Sequence, residues 1–229
     1  MQNESNLDMV WRDQILESRS KVTLLFQGDS ITDSERKQKK NEGLGTGYVA
    51  MVALWLSALH PEMDVKVLNR GIAGNRVRDL CNRWQKDALD LKPDVVSILI
   101  GINDTLGRYF WSNPTSISDF RNDYRLILQR TYESLHCKII LMEPFSIIVS
   151  KDQVKFREDL NPKIQVVREL SEEFETLLVP LDKIFDEAAK KREPQFWSRD
   201  GFHPTPVGHA IIAQSWLNLM LSTNQSTFG

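Results

Sequence analysis

Five short apolar runs rich in β-branched residues, at 22–26, 65–68, 95–100, 139–142 and Leu177–Val179, alternate with longer amphipathic stretches along the chain. Val95-Val96-Ser97-Ile98-Leu99-Ile100 has no apolar–polar alternation, the mark of a strand covered on both faces. Such strands belong to parallel sheets, whose crossovers are helices. The intervening stretches read accordingly as helices over Tyr48–Leu59, 77–88, 120–135, 162–174, 183–191 and 209–221. Pro162 suits a first helical turn, where its missing N–H costs nothing. Ile211, Ile212, Trp216, Leu217 and Met220 recur on a helical period. The expected class is α/β: a three-layer α/β/α sandwich on a five-stranded parallel sheet, flavodoxin-like in its winding.

No Pro/Gly/Ser-rich or charged linker divides the 229 residues. A single domain at 21–221 is therefore expected, with polar ends at 1–20 (an N-terminal extension) and 222–229 (a tail). Lys and Arg number 29 against 31 Asp and Glu, a net charge of -2 with no basic stripe. That balance argues against nucleic acid and against an anionic membrane surface as partners. Cys81 and Cys137 are too few for a disulfide framework and lie in no metal-binding spacing, so they read as free thiols. The first residues lack a basic segment leading into an apolar one, and no apolar run approaches the roughly 18 residues that cross a bilayer. A cytoplasmic location is the expectation. Composition does not fix oligomeric state, although 6 Trp are compatible with a homo-oligomeric contact.

Open parallel sheets bind ligands outside the carboxyl ends of their strands, so the residues directly after each run are the informative ones. After the first run, Gly28-Asp29-Ser30-Ile31-Thr32-Asp33 is either a capping turn or the seat of an exposed nucleophile, Ser30. After the second, Gly71 and Gly74 relax the backbone, and the N–H of Gly74 has no side chain to keep an oxyanion away. After the third, Asn103 in Gly101-Ile102-Asn103-Asp104 offers a side-chain amide donor, or else an Asx turn into a loop. A serine nucleophile needs a base. Of the four histidines, His60, His136 and His209 read as structural or solvent-facing. His203 stands in a loop after the last strand with Asp200 three positions earlier, where the carboxylate can accept from Nδ1–H and leave Nε2 for Ser30.

Together, Gly28-Asp29-Ser30, Gly71-Ile72-Ala73-Gly74-Asn75, Gly101-Ile102-Asn103-Asp104 and Asp200-Gly201-Phe202-His203-Pro204 resemble, in order and spacing, the four blocks of the SGNH (GDSL-type) hydrolases. The first block differs slightly, with Ile31 in place of Leu. The resemblance implies Ser30 as nucleophile, His203 as base, Asp200 as its partner, and the N–H groups of Ser30 and Gly74 with Asn103 as oxyanion hole. Residues 43–49, 69–80 and 83–87 look like the intracellular acetylxylan-esterase branch, which removes acetyl groups from short xylo-oligosaccharides. Downstream of Asp104 the chain departs from that branch, running Thr105-Leu106-Gly107-Arg108-Tyr109-Phe110-Trp111, whereas relatives place a Trp almost directly after the Asp.

The implied function is a serine esterase acting on short acyl, chiefly acetyl, esters of sugars, without metal or organic cofactor. Asp29, Asn75, Trp197 and Phe202 are the candidate substrate contacts, with Phe110 and Trp111 as further aromatic surfaces for a sugar face. The alternatives are a broad-range short-chain lipase or acylhydrolase, a non-catalytic flavodoxin-like binding module, and a phosphoryl-transfer enzyme with Asp29 and Asp33 on magnesium.

Overall fold

Strands form at β1 Lys21–Gly28, β2 Asp64–Asn69, β3 Val95–Leu99, β4 Lys138–Met142 and β5 Leu177–Val179 in a computed structural model that describes residues 21–38 and 43–221. They pair in parallel in the order β2-β1-β3-β4-β5. Around them lie α1 Ser30–Asp33, α2 Tyr48–Leu59, α3 Val77–Asp87, α4 Ile102–Phe110, α5 Ile117–Ser134, α6 Arg157–Glu173, α7 Leu181–Lys191, α8 Pro194–Trp197 and α9 Pro206–Leu221. The polar ends expected at 1–20 and 222–229 lie outside the described residues.

The absence of alternation in the strands has its counterpart in two apolar layers. Leu24 and Phe26 of β1, Val95 and Leu99 of β3, and Ile140 and Met142 of β4 pack with α2, α7 and α9. Their neighbours Leu25, Val96, Ile98, Ile139 and Leu141 turn to the opposite layer, against α3, α5 and the later turns of α6. Each layer has a fully buried tryptophan at its centre, and each indole N–H is satisfied: Trp216 donates to Ser97 Oγ (2.8 Å) and Trp84 to Thr131 Oγ1 (2.9 Å). A buried tryptophan of this kind is worth about 3–5 kcal/mol against alanine. Because β1 pairs with β2 on one side and β3 on the other, the crossovers through α2 and α3 depart to opposite faces. Between the carboxyl ends of β1 and β3 lies the crevice that a doubly wound sheet leaves for a ligand.

Four expectations need correction. The helix placed at 162–174 begins at Arg157, and Pro162 falls in its second turn. Leu160, Ile164 and Val167 continue one buried stripe back past the proline, and Glu158 and Asp159 sit at the N-terminal turn where the helix dipole favours acids. The segment after Gly101, for which the alternative to an amide donor is an Asx turn into a loop, is helix α4, with Ile102 and Leu106 buried four residues apart. The helices expected at 120–135 and 209–221 each start three residues sooner. Ser116 Oγ caps the first by accepting from Asp119 N (3.0 Å), and Pro206 opens the second. Among the described residues, no helix is long and apolar enough to cross a membrane.

Candidate active site

Ser30 is the first residue of α1, immediately beyond the β1 turn. Gly28 allows this turn: a Cβ there would stand 2.2 Å from Thr32 Oγ1 and 2.4 Å from the Leu99 carbonyl oxygen. Asp29 is buried and caps the short helix, its Oδ1 accepting from Ile31 N (3.0 Å). Burial pushes the Asp29 carboxyl up to about 7, although the Ile31 N–H and the positive charge available at His203 pull the other way. The Ser30 hydroxyl is hydrogen-bonded to His203 Nε2 at 2.9 Å.

His203 is held from behind by Asp200, whose Oδ2 lies 2.6 Å from Nδ1. The other carboxylate oxygen accepts from the backbone N–H groups of His203 (2.8 Å) and Phe202 (2.9 Å) and from Ser198 Oγ (3.2 Å). Gly201 makes that tight loop with φ +86°, and a Cβ on it would meet the Ile147 carbonyl at 2.5 Å. A bridge between Ser198 and Pro204 closes the loop, and Gln153 Nε2 donates to the Asp200 carbonyl (2.6 Å).

Burial disfavours the Asp200 charge, but these hydrogen bonds outweigh it and hold the carboxyl well below the usual carboxylate range. The hydrogen bond that Nδ1–H donates to Asp200 raises His203 above the ordinary 6.5, against a desolvation that lowers it. If neutral His203 is the base, kcat/KM falls as pH drops, along a limb centred above 6.5. A pH–rate profile on p-nitrophenyl acetate measures this directly; a limb centred below 6 contradicts it.

The ends of β2 and β3 converge on the same place. Ile72 N donates to the Gly28 carbonyl (3.1 Å) and Ala73 N to Asp33 Oδ2 (3.2 Å), which fixes the Gly71–Asn75 loop beside Ser30. Gly74 is exposed at φ +81° with open space around its Cβ position. Asn103 Nδ2 donates to the Asn75 carbonyl (3.0 Å), leaving its second amide hydrogen free to act. Asp104 braces this junction from below, accepting from Val77 N (3.1 Å), and burial raises its carboxyl to about 7.

A cleft of about 420 Å³ opens over Ser30 and His203, lined also by Ser34, Thr46, Ala73 and His209. His209 is buried, accepts from Tyr48 N through Nδ1 (3.2 Å), and is lowered to about 4 by that burial, so at neutral pH it brings no charge to the cleft.

The substrate contacts expected from sequence fare unevenly. Phe202, only 9% exposed, packs on Phe156 (ring centroids 5.6 Å apart) and presents no open face to a sugar. Trp197 is half-buried and lines a different groove, between α2 and α9, with Met51, Trp55 and Leu217. Asp29 is buried with Oδ1 engaged in its cap, its Oδ2 having no hydrogen-bond partner among the described residues, and Asn75 Oδ1 accepts from Arg83 Nε (2.9 Å). Phe110 and Trp111, 58% and 53% exposed, end the helix that begins beside Asn103 and are the open aromatic surfaces on that element. Ser198 and Gln153, which brace the His203 loop, carry no motif that would have singled them out.

A doubly wound sheet with a serine, a histidine and an aspartate in one hydrogen-bonded chain at its switch point defines an α/β hydrolytic enzyme. The profile of the GDSL-like Lipase/Acylhydrolase family matches residues 26–211. The chain belongs to that family and is a carboxylic ester hydrolase. An acetylxylan esterase from Geobacillus stearothermophilus is 39% identical over 202 residues, which cover 85% of this chain and 91% of that protein. The crystal structure of Axe2, an acetylxylan esterase from Geobacillus stearothermophilus, superimposes with a TM-score of 0.81 at 37% identity, covering 88% of this chain and 95% of that one. A putative GDSL-like lipase from Parabacteroides merdae ATCC 43184 gives 0.82 at 37% identity, covering 87% and 95%. An alpha/beta hydrolase enzyme from the metagenome of Lake Arreo gives 0.81 at 30%, covering 88% and 97%.

Proposed function

We propose that the protein removes short acyl groups, chiefly acetyl, from sugars, with Ser30, His203 and Asp200 as catalytic triad and Ser30 N–H, Gly74 N–H and Asn103 Nδ2 as oxyanion hole. The observation that carries this reading is the unbroken chain from Ser30 Oγ to His203 Nε2 (2.9 Å) and from His203 Nδ1 to Asp200 Oδ2 (2.6 Å). Ser30 Oγ attacks the ester carbonyl carbon as its proton passes to Nε2, and the three donors take up the oxyanion. Collapse breaks the C–O bond to the sugar, which leaves with the proton from Nε2. A water deprotonated by the same nitrogen then attacks the acyl-enzyme, releasing acetate and restoring Ser30.

The sugar ester is supported by the likeness to the acetylxylan esterase, whose catalytic mutants replace a serine and an aspartate by alanine. A cleft of about 420 Å³ over Ser30 has room for the acyl group together with part of its alcohol. The test is a panel of p-nitrophenyl acetate, butyrate and octanoate beside acetylated xylo-oligosaccharides. Acetate is expected to lead by about tenfold or more, the discrimination that one methylene brings in an apolar pocket, with acetate release from the oligosaccharides. Equal or greater rates on octanoate favour a broad-range acylhydrolase instead. Asn103→Ala is expected to lower kcat by about a hundred- to a thousandfold with little change in KM, the cost of one lost oxyanion donor. An unchanged kcat removes Asn103 from that role.

A further inference from the structure

Three oxyanion donors from three separate strand ends are useful only if the strand ends are held in register before the substrate arrives. One side chain lies between two of them. Arg83, on α3, has a side chain only 15% exposed, its guanidinium drawn under the site rather than into solvent. Its Nε donates to Asn75 Oδ1 (2.9 Å), its Nη2 to the Gly28 carbonyl (3.3 Å), and its Nη1 to Gln27 Oε1 (2.9 Å) and Asp87 Oδ2 (3.1 Å). Gln27, fully buried in β1, closes the network by donating to the Asp87 carbonyl (2.6 Å).

The two acceptors that matter are far apart in sequence and adjacent in the site. Gly28 is two residues before Ser30. Asn75 directly follows Gly74, and its carbonyl receives Asn103 Nδ2. The guanidinium thus bonds the turn bearing the nucleophile and the loop bearing the second donor, and through Asn75 it reaches the third. Only a planar fork of five N–H donors satisfies acceptors spread in this way; an ammonium on a flexible stem reaches one or two of them. A charge this far from water costs free energy, which the Asp87 carboxylate offsets in part.

We propose that Arg83 is a positioning residue of the esterase, tethering the Ser30 turn and the Gly74–Asn75 loop so that the oxyanion donors converge. This rests on the oxyanion-hole reading given above. Its effect is on the transition state, since the misplaced donors meet full negative charge only there.

The test is a double-mutant cycle of Arg83→Lys and Asn75→Ala on p-nitrophenyl acetate, with Asn103→Ala in parallel and thermal melts on every variant. Arg83→Lys keeps the charge, and Asn75→Ala cuts the tether in the loop without touching the Gln27–Asp87 hydrogen bond, so the second variant reports even if the first is unstable. Each single variant is expected to lose about ten- to a hundredfold in kcat with KM within about twofold, as for displacements near 1 Å. The double variant is expected to be no worse than the worse single, because both cut one link. A purely structural Arg83 would lower the melting temperature and leave kcat per folded enzyme unchanged, which overturns the proposal, as do losses that simply multiply. If Asn103→Ala loses activity while Asn75→Ala and Arg83→Lys do not, the tether fails and the oxyanion hole stands. If Asn103→Ala is fully active, both fall.

Discussion

Ser30→Ala lowers kcat on p-nitrophenyl acetate by at least about ten-thousandfold and leaves the thermal unfolding midpoint nearly unchanged. The size of the loss follows from the place of the hydroxyl. Its hydrogen bond runs to His203 Nε2, and the turn that carries it is built by Gly28 and the Asp29 cap, neither of which needs the Ser30 side chain. The fold is therefore spared while the covalent route is closed. What activity remains is expected from a water attacking in place of the serine, with the proposed oxyanion donors intact. Initial rates at saturating ester, read beside melts of both proteins, check both halves. A variant that keeps more than about a hundredth of the rate would place the nucleophile elsewhere.

Asp200→Asn is the second large effect, a fall of about ten-thousandfold in kcat with the loop still in place. Asparagine keeps an oxygen where Oδ1 now accepts from the N–H groups of Phe202 and His203, so the bridge between Ser198 and Pro204 has no reason to open. At Oδ2 it presents an amide donor to Nδ1. The imidazole is expected to answer by carrying its proton on Nε2, the nitrogen that the proposed mechanism needs free to receive one from Ser30. The acidic limb of the pH profile also shifts, because the hydrogen bond that raises His203 is gone, and its centre moves down from its wild-type position. Rates and pH profiles of the two proteins provide the comparison. A modest loss with an unmoved limb would reduce Asp200 to a brace of the loop.

The sheet was legible because buried parallel strands leave a blunt signature: β1 to β5 fall within two residues of the apolar runs at every end. The Ser30, His203 and Asp200 chain was legible for a different reason. Residue types that chemistry demands stood directly after strands, and Asp200 and His203 are close enough in sequence for one loop to join them.

Elements decided by distant partners were not readable. Helix α4 follows a glycine at φ +131° and is held by burial of Ile102 and Leu106, which local sequence presents only as a turn. Pro162 looks like a helix start until Leu160 is seen to be buried on the near side of it. Phe202 and Trp197 flank His203 in sequence, but one turns into the core and the other to the α2–α9 groove. Arg83 meets Gln27 and Gly28 across more than fifty residues, a contact with no local trace.

The central claim is that an acyl group passes through Ser30. Rapid mixing of the enzyme with p-nitrophenyl acetate, acid quenching within the first turnover, and peptide mass mapping tests it most directly. The account predicts one acetyl group per enzyme, on the peptide carrying Ser30 and nowhere else, together with a matching burst of p-nitrophenol and no adduct in Ser30→Ala. Turnover with the Ser30 peptide unmodified, or an acetyl group on another side chain that survives in Ser30→Ala, would contradict it.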